Sequence, residues 1–205
     1  MRLDGLKSIS DTAAKSLGRH KDFLSLLGLT NLTETAAAAL ANNKGDLSLS
    51  GLTNLTETTA TALAKRKGFL YLPSLTKLTE AAAAALAKRK GELDLHGLET
   101  LTKSVAAALA KHPGKLVLNG VKTLSDEAAW ALGRHKGSLV LQGLQQLSDA
   151  AATGLAKHQG VLHTANVHGN QPKEGMLALS QQALKAVEQA RKRLAKKKRE
   201  KPAKG

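Results

Sequence analysis

The chain has 205 residues and a formal net charge of +15, and 42% of its residues are hydrophobic although only 2% are aromatic. It has no cysteine, which excludes disulfides, a thiol nucleophile and a thiolate metal site. No apolar run reaches membrane-spanning length and the first five residues lack the pattern of a secretory signal, so we expect a cytoplasmic protein.

A 23-residue repeat organises most of the chain. An apolar anchor recurs at that spacing without insertion, at Leu6, Leu29, Leu52, Leu75, Leu98, Val121 and Leu144. A fixed period of roughly 20–50 residues is typical of a solenoid, in which each unit packs on its neighbours. We therefore predict a solenoid domain over residues 1–167, made of seven units and a degraded eighth strand.

Each unit begins with a short predicted strand. In the third unit Leu47 and Leu49 alternate with Ser48 and Ser50, which is the period of a strand with one buried side. Gly51 follows at the point where the chain must turn. Because the strands of successive units run in the same direction, they are predicted to pair in a parallel sheet.

A helix of about three turns is predicted in the second half of each unit. A hydroxyl residue that can cap its first turn precedes every helix, at Ser10, Thr33, Thr56, Thr79, Thr102, Ser125 and Ser148. An acidic residue follows this cap in six of the seven units, where it suits the helix dipole. Glycines past the helices are predicted to be left-handed, at Gly45, Gly68, Gly91, Gly114, Gly137 and Gly160.

The Leu-x-Leu strand, three residues before an apolar anchor, resembles the leucine-rich repeat family. The Leu-Thr-Glu-x-Ala-Ala-x-x-Leu-Ala segment resembles its cysteine-containing subtype, although Leu or Val stands in the place of cysteine, as at Leu52 and Val121. The resemblance covers residues 1 to about 167. It implies a right-handed α/β solenoid with a parallel β-sheet on the concave face and α-helices on the convex face. It also implies a non-enzymatic protein that binds other proteins on the concave face.

The outward strand positions vary between units, whereas the inward leucines do not. Three of the four aromatic residues fall in this variable band, and aromatic side chains anchor protein interfaces well. We predict a concave partner-binding patch formed by Phe69, Tyr71, Asp94, His96, Asn119 and Gln142. The alternative is a set of relaxed surface positions, with Phe23 and Phe69 packed into the strand ends.

Each predicted helix ends in a polar triplet rich in Lys and Arg. Stacked in register, the triplets would form a cationic ridge, with polyanion-binding candidates at Lys65, Arg66, Lys67, Lys88, Arg89 and Lys90. The alternative is complementation of the helix dipole, which explains the triplets without a ligand. Histidine recurs at the middle triplet position, but carboxylates at matching height are not evident, so we predict no metal and no cofactor.

The C-terminal part of the chain departs from the repeat. Residues 168–195 are predicted to form a loop and a capping helix that begins after Ser180. Residues 196–205 are predicted to be a disordered basic tail, and the segment from Arg191 to Lys204 carries +8 of the net charge. Its basic cluster is either a polyanion anchor or part of a solvated terminus, and consists of Lys196, Lys197, Lys198 and Arg199.

The first strand begins at Met1 and Arg2 without a preceding cap. A bare parallel edge invites pairing, so this edge is predicted to be covered by a partner or a second copy, or to continue a longer array. The sequence has no phosphate-binding glycine loop, no His-Glu-x-x-His and no Gly-x-Ser-x-Gly, so an enzymatic function has little support. Three hypotheses remain: a protein-binding scaffold, a binder of nucleic acid or anionic membrane, and a structural segment of a longer protein.

Overall fold

Helices and strands alternate regularly along the chain in a computed structural model, which describes residues 1–164. The helices are α1 (Asp11–Leu17), α2 (Glu34–Leu40), α3 (Glu57–Ala64), α4 (Glu80–Leu86), α5 (Lys103–Leu109), α6 (Asp126–Leu132) and α7 (Asp149–Leu155). The strands are β1 (Leu24–Ser25), β2 (Leu47–Ser48), β3 (Leu70–Tyr71), β4 (Leu93–Asp94), β5 (Leu116–Val117), β6 (Leu139–Leu141) and β7 (Leu162–Thr164).

The strands of residues 1–164 form one parallel sheet in the order β1 to β7. Neighbouring strands pair at equivalent repeat positions, as Leu24 does with Leu47 in β1 and β2. Leu49 continues the same ladder beyond β2, because its N–H donates to the carbonyl oxygen of Tyr71 at 3.0 Å. The in-register units confirm the predicted α/β solenoid.

One hydrophobic core runs between the sheet and the helices. The strand leucines Leu47 and Leu49 and the helix leucine Leu63 are fully buried. Ala60 and Ala83 are also fully buried, and such small side chains let neighbouring elements approach closely. Burying one leucine side chain contributes roughly 1.5–3 kcal/mol, so many repeated contacts replace the large aromatic residues that this chain lacks.

The predicted hydroxyl caps are confirmed at all seven helices of residues 1–164. Each cap oxygen accepts a hydrogen bond from the N–H three residues later, as Thr79 does from Ala82 at 3.2 Å. The helices have only seven or eight residues, about two turns, so the predicted third turn is wrong. The chain tightens there into bonds spanning three residues, such as the 2.9 Å bond from the His112 N–H to the Leu109 carbonyl oxygen.

The prediction of left-handed glycines after the helices is wrong at all but one position. Among the glycines of residues 1–164, only Gly91 has a positive φ, of 94°. The others are required by close approach instead, because the turns of successive units stack on one another. A Cβ added to Gly114 would lie 1.9 Å from the carbonyl oxygen of Gly91 in the preceding unit. These positions therefore select glycine for the space it leaves.

Three predicted features lie partly or wholly outside the described residues. These are the end of the degraded eighth strand, the capping helix of residues 168–195 and the basic tail of residues 196–205. The start of the eighth strand is β7. Up to residue 164, the helices are all too short and insufficiently apolar to cross a lipid bilayer.

Candidate binding surface on the sheet

Two stacked aromatic rings lie on the side of the sheet that faces away from the helices. The Phe69 and Tyr71 ring centroids are 5.8 Å apart and the rings are inclined by 25°. Between them in sequence, Leu70 points into the core and is 1% exposed, whereas Phe69 and Tyr71 are 41% and 38% exposed. The alternation from Phe69 into β3 therefore places both aromatic side chains on the surface, and Phe69 is not packed into the strand end.

An acid–imidazole pair lies beside these rings on the next strand. Asp94 of β4 pairs in parallel register with Tyr71 of β3, so the two side chains are neighbours on one face. Asp94 Oδ1 accepts a hydrogen bond from the His96 backbone N–H at 3.0 Å and lies 2.9 Å from His96 Nδ1. We call Phe69, Tyr71, Asp94 and His96 the sheet patch.

The predicted patch continues with polar residues that organise the edge of the sheet. Asn119 Oδ1 accepts a hydrogen bond from the Gln142 backbone N–H at 3.0 Å. Gln142 is exposed and Asn119 is half-buried. A Lys115–Glu92 ion pair with an N–O distance of 2.9 Å lies at the entry to strands β4 and β5. These contacts give the aromatic centre a polar rim.

Not every outward strand position is free to contact a partner. Ser25, Ser48, Val117 and Val140 occupy the same position of the repeat as Tyr71, yet each is buried. Small side chains at this repeat position are covered by outward-facing side chains at neighbouring repeat positions. For example, the Ser48 and Ser50 hydroxyls lie 2.8 Å apart. Sequence variation between units therefore overestimated the accessible part of the outward surface.

A row of buried polar side chains runs along the turns between helices and strands. It occupies the middle position of each polar triplet, and its members are buried except for the first, which is half-buried. We call them the buried polar file: His20, Asn43, Arg66, Arg89, His112, His135 and His158. Asn43 Nδ2 donates to the His20 carbonyl oxygen at 2.6 Å. Arg66 Nη1 donates to the carbonyl oxygens of Leu40 at 3.0 Å and Asn43 at 3.1 Å.

The two arginines of the buried polar file are charged groups that are almost completely shielded from solvent. Burial and the nearby charge of Arg89 lower the pKa of Arg66 to about 10, against a smaller opposing effect of Asp46. Burial alone lowers the pKa of Arg89. A pKa of about 10 leaves the Arg66 guanidinium charged at neutral pH, and both arginines donate to turn carbonyls.

These side chains join each turn to the preceding unit, while the Leu-x-Leu strands and their anchors fill the core beneath. The anchors Leu52, Leu75, Leu98 and Val121 are all at most 1% exposed. The fold is that of a leucine-rich-repeat protein.

Comparison with known proteins finds similarity among solved structures. No protein-family model and no curated protein matches the sequence. A solved leucine-rich-repeat protein of Leptospira interrogans is 16% identical, with a TM-score of 0.32. The match covers 80% of this chain and 66% of that chain, so this chain spans about two thirds of that protein's length.

The cationic ridge of this chain differs from the predicted one. Arg66 and Arg89 are each 2% exposed and point at carbonyl oxygens, which removes them from any polyanion-binding surface. The outer members of their triplets are exposed and remain as Lys65, Lys67, Lys88 and Lys90. Lys196, Lys197, Lys198 and Arg199 lie outside the described residues.

The helix side of the ridge has its own surface features. A groove of about 510 Å³ opens between α5 and α6, lined by alanines together with Lys111, Pro113, Arg134 and Lys136. Trp130 is 38% exposed, and Lys157 Nζ lies 4.3 Å from its ring centroid. Trp130 is thus a partly exposed residue on the helix side. Among residues 1–164, no three His, Cys, Asp or Glu side chains converge on a possible metal position.

Proposed function

We propose that this leucine-rich-repeat chain is a non-enzymatic scaffold that binds a protein partner through the outward face of its sheet. The contact is centred on the sheet patch and extends to Asn119 and Gln142. The observation that supports it most is the exposure of two stacked aromatic rings beside Asp94 and His96. Aromatic anchors surrounded by polar groups are characteristic of the centres of protein interfaces.

The chemistry of the sheet patch favours a partner that presents a cation next to an apolar surface. One carboxylate oxygen of Asp94, Oδ1, receives both contacts from His96. Within residues 1–164 no group donates to its Oδ2, which leaves that oxygen for a donor from the partner. Tyr71 lies beside Asp94 and offers its ring face. An arginine suits both groups, because its planar guanidinium stacks on aromatic rings and pairs with carboxylates.

Comparison of three variants tests this proposal. The partner is first captured from host lysate on the full chain, purified, and its affinity then measured for each variant. The double variant Tyr71→Ala, His96→Ala should weaken binding by at least about tenfold, which is typical when an interface anchor is removed. Trp130→Ala is the matched control, because Trp130 has the same 38% exposure as Tyr71 but lies on the helix side.

Two results distinguish the details of this proposal. Asp94→Asn should weaken binding and reduce its dependence on salt, since it removes one charge from the contact. Equal affinity of the partner for the wild type and the Tyr71→Ala, His96→Ala variant would sink the proposal. Deleting residues 191–205 should leave protein binding unchanged.

A second candidate function is binding of a polyanion, nucleic acid or anionic membrane, along the corrected ridge. It is favoured by the exposure of Lys65, Lys67, Lys88 and Lys90, none of which pairs with an acid within residues 1–164. Binding of duplex DNA should then weaken steeply with salt, and a variant with these four lysines changed to alanine should have a shallower salt dependence. Salt-independent or undetectable binding would exclude this function.

Two further expectations stay predictions. One is a cytoplasmic location. The other is self-association through the N-terminal edge, where Met1 and Leu3 make backbone hydrogen bonds with Ser25, each 2.9 Å long. Light scattering that finds a strict monomer without aggregation would argue against self-association.

A further inference from the structure

The C-terminal half of the buried polar file consists of stacked imidazoles. The His112 and His135 ring centroids are 6.4 Å apart and those of His135 and His158 are 5.6 Å apart, with interplanar angles of 4° and 8°. The three side chains are 1%, 0% and 4% exposed, in that order. In the first unit the same position holds His20, which is only half-buried, and units two to four hold Asn43 and then two arginines. Units two to four and units five to seven therefore carry different chemistry at one structural position.

Hydrogen bonding of these imidazoles becomes poorer along the chain. His112 Nδ1 and Nε2 lie 3.3 Å and 3.0 Å from the carbonyl oxygens of Ala87 and Gly91. His135 Nδ1 lies 3.4 Å from the Ala110 carbonyl oxygen, and its buried Nε2 has no hydrogen-bond partner within residues 1–164. Neither buried ring nitrogen of His158 makes a hydrogen bond to the described part of the chain.

Charge on these rings would meet no opposite charge among residues 1–164. The charged groups that act on His112 are Arg89 on one side and His135 on the other, and both disfavour a cation there. The charge of His135 likewise disfavours a charged His158 ring. Backbone groups of His135, Gly137 and Val161 near the ring favour the charged form. The exposed neighbours of the file on this surface, Lys111, Arg134, Lys136 and Lys157, are cations as well.

We propose that this histidine file makes units five to seven an acid-sensitive part of the solenoid. Protonation of the imidazoles opens the turns between α5 and β7, while units two to four stay folded. A charged imidazole needs a hydrogen-bond acceptor for each of its two N–H groups, and neighbouring charged rings must lie farther apart. Both conditions are met only when the turns separate from the turns of the adjacent units.

The direction of the pH effect follows from the burial of these rings. Burial lowers the pKa of His112 and of His158, and in each case it outweighs the nearby backbone groups that favour the charged ring. Opened turns take up protons below the ordinary histidine pKa of about 6.5, whereas the folded turns stay neutral to lower pH. Stability of this half is therefore complete above about pH 7 and is lost as the pH falls. Asn43 does not titrate, and Arg66 and Arg89 keep their charge throughout this range.

Hydrogen–deuterium exchange on the full chain, compared at about pH 7.5 and about pH 5 and corrected for intrinsic rates, tests the proposal. The peptides 109–118, 132–141 and 155–164 should lose protection on acidification, by up to about tenfold per pH unit for each proton taken up. The peptides 40–49 and 63–72 should keep their protection. Uniform loss along the chain, or no loss, would overturn the proposal.

Two sets of variants separate titration from general instability. His158→Asn should reduce the pH dependence, and the double variant with asparagine also at His112 should abolish it, because asparagine already serves this position at Asn43. Conversely, Asn43→His should create acid-dependent opening in the peptide 40–49. His96→Asn, a change at an exposed histidine, is the control and should alter neither half.

Each outcome of these variants is decisive. If the double variant fails to fold, His158→Asn alone should still reduce the steepness of the pH response, and Asn43→His still transfers it to the second unit. Retention of the full acid response in His158→Asn, or no acid response at residues 40–49 in Asn43→His, contradicts the assignment to the buried file.

Discussion

Arg89 Nη2 donates a hydrogen bond to the carbonyl oxygen of Gly68, 21 residues earlier in the chain, at 3.0 Å. The same guanidinium reaches the Leu63 carbonyl oxygen through Nη1 at 3.4 Å. One side chain therefore donates hydrogen bonds both to a carbonyl oxygen at the end of α3 and to one in the turn that follows it. Since a helix leaves its last carbonyls without intrahelical partners, these bonds stabilise the connection from each helix to the next strand.

Replacing Arg89 by alanine should destabilise the fold by roughly 3 kcal/mol, because it leaves buried carbonyls unpaired and opens a cavity. Arg89→His is the matched comparison, since units five to seven accommodate histidine at this position. It should cost less than about 1.5 kcal/mol at alkaline pH. Urea denaturation measures both variants, and equal losses would mean that an imidazole cannot replace the guanidinium at this position.

Substituting asparagine for a glycine in the turn after a helix should lower stability by different amounts, depending on whether glycine is required there by close approach or by a positive φ. A Cβ on Gly68 would lie 2.3 Å from the Gly45 carbonyl oxygen, whereas a Cβ on Gly91 meets nothing within 4 Å. Gly68→Asn should therefore cost about 2 kcal/mol or more through overpacking. Gly91→Asn should cost less than about 1 kcal/mol, since asparagine tolerates a positive φ. Thermal unfolding of the two variants makes the comparison, and the reverse order would refute the stacking explanation.

The repeat period predicted the strands, the caps and the buried leucines because these depend on local spacing. A 23-residue unit without insertions places Leu47, Leu70 and Leu93 at equivalent strand positions whatever the details of the turns. Likewise, the cap position is marked by a hydroxyl residue in every unit, and its contact lies only three residues away. Features decided within one unit could thus be predicted from the sequence.

The buried polar file could not be predicted from charge alone. Arg66 lies between Lys65 and Lys67, and by charge all three belong to one solvated cluster. The distinction comes from neighbouring units, since the turns stack so closely that the middle side chain is covered and donates to carbonyls 21 to 26 residues away. One signal was present: the middle position is restricted to His, Asn and Arg, which all carry N–H donors, whereas the flanking positions also admit other residues.

Removing one helix cap should have a measurable effect even though the unit is repeated. Thr79→Ala removes the acceptor for the Ala82 N–H at the start of α4 and should cost about 1 kcal/mol. Thr76→Ala, at an exposed threonine three residues earlier, is the control and should change stability by less than about 0.5 kcal/mol. Chemical denaturation checks both, and a loss at Thr76 equal to that at Thr79 would contradict the capping role.

The strand β3 allows surface and core roles to be separated at adjacent residues. Leu70→Ala should cost roughly 2–5 kcal/mol, because Leu70 is 1% exposed and lies in the continuous core. Phe69→Ala and Tyr71→Ala should each cost less than about 1.5 kcal/mol, because both rings contact mainly each other and solvent. Urea denaturation of the three variants gives these values. Losses at the two aromatic positions as large as that at Leu70 would mean that the rings stabilise the solenoid. Small losses would leave binding as the better reason for placing two of the chain's four aromatic residues on one exposed strand.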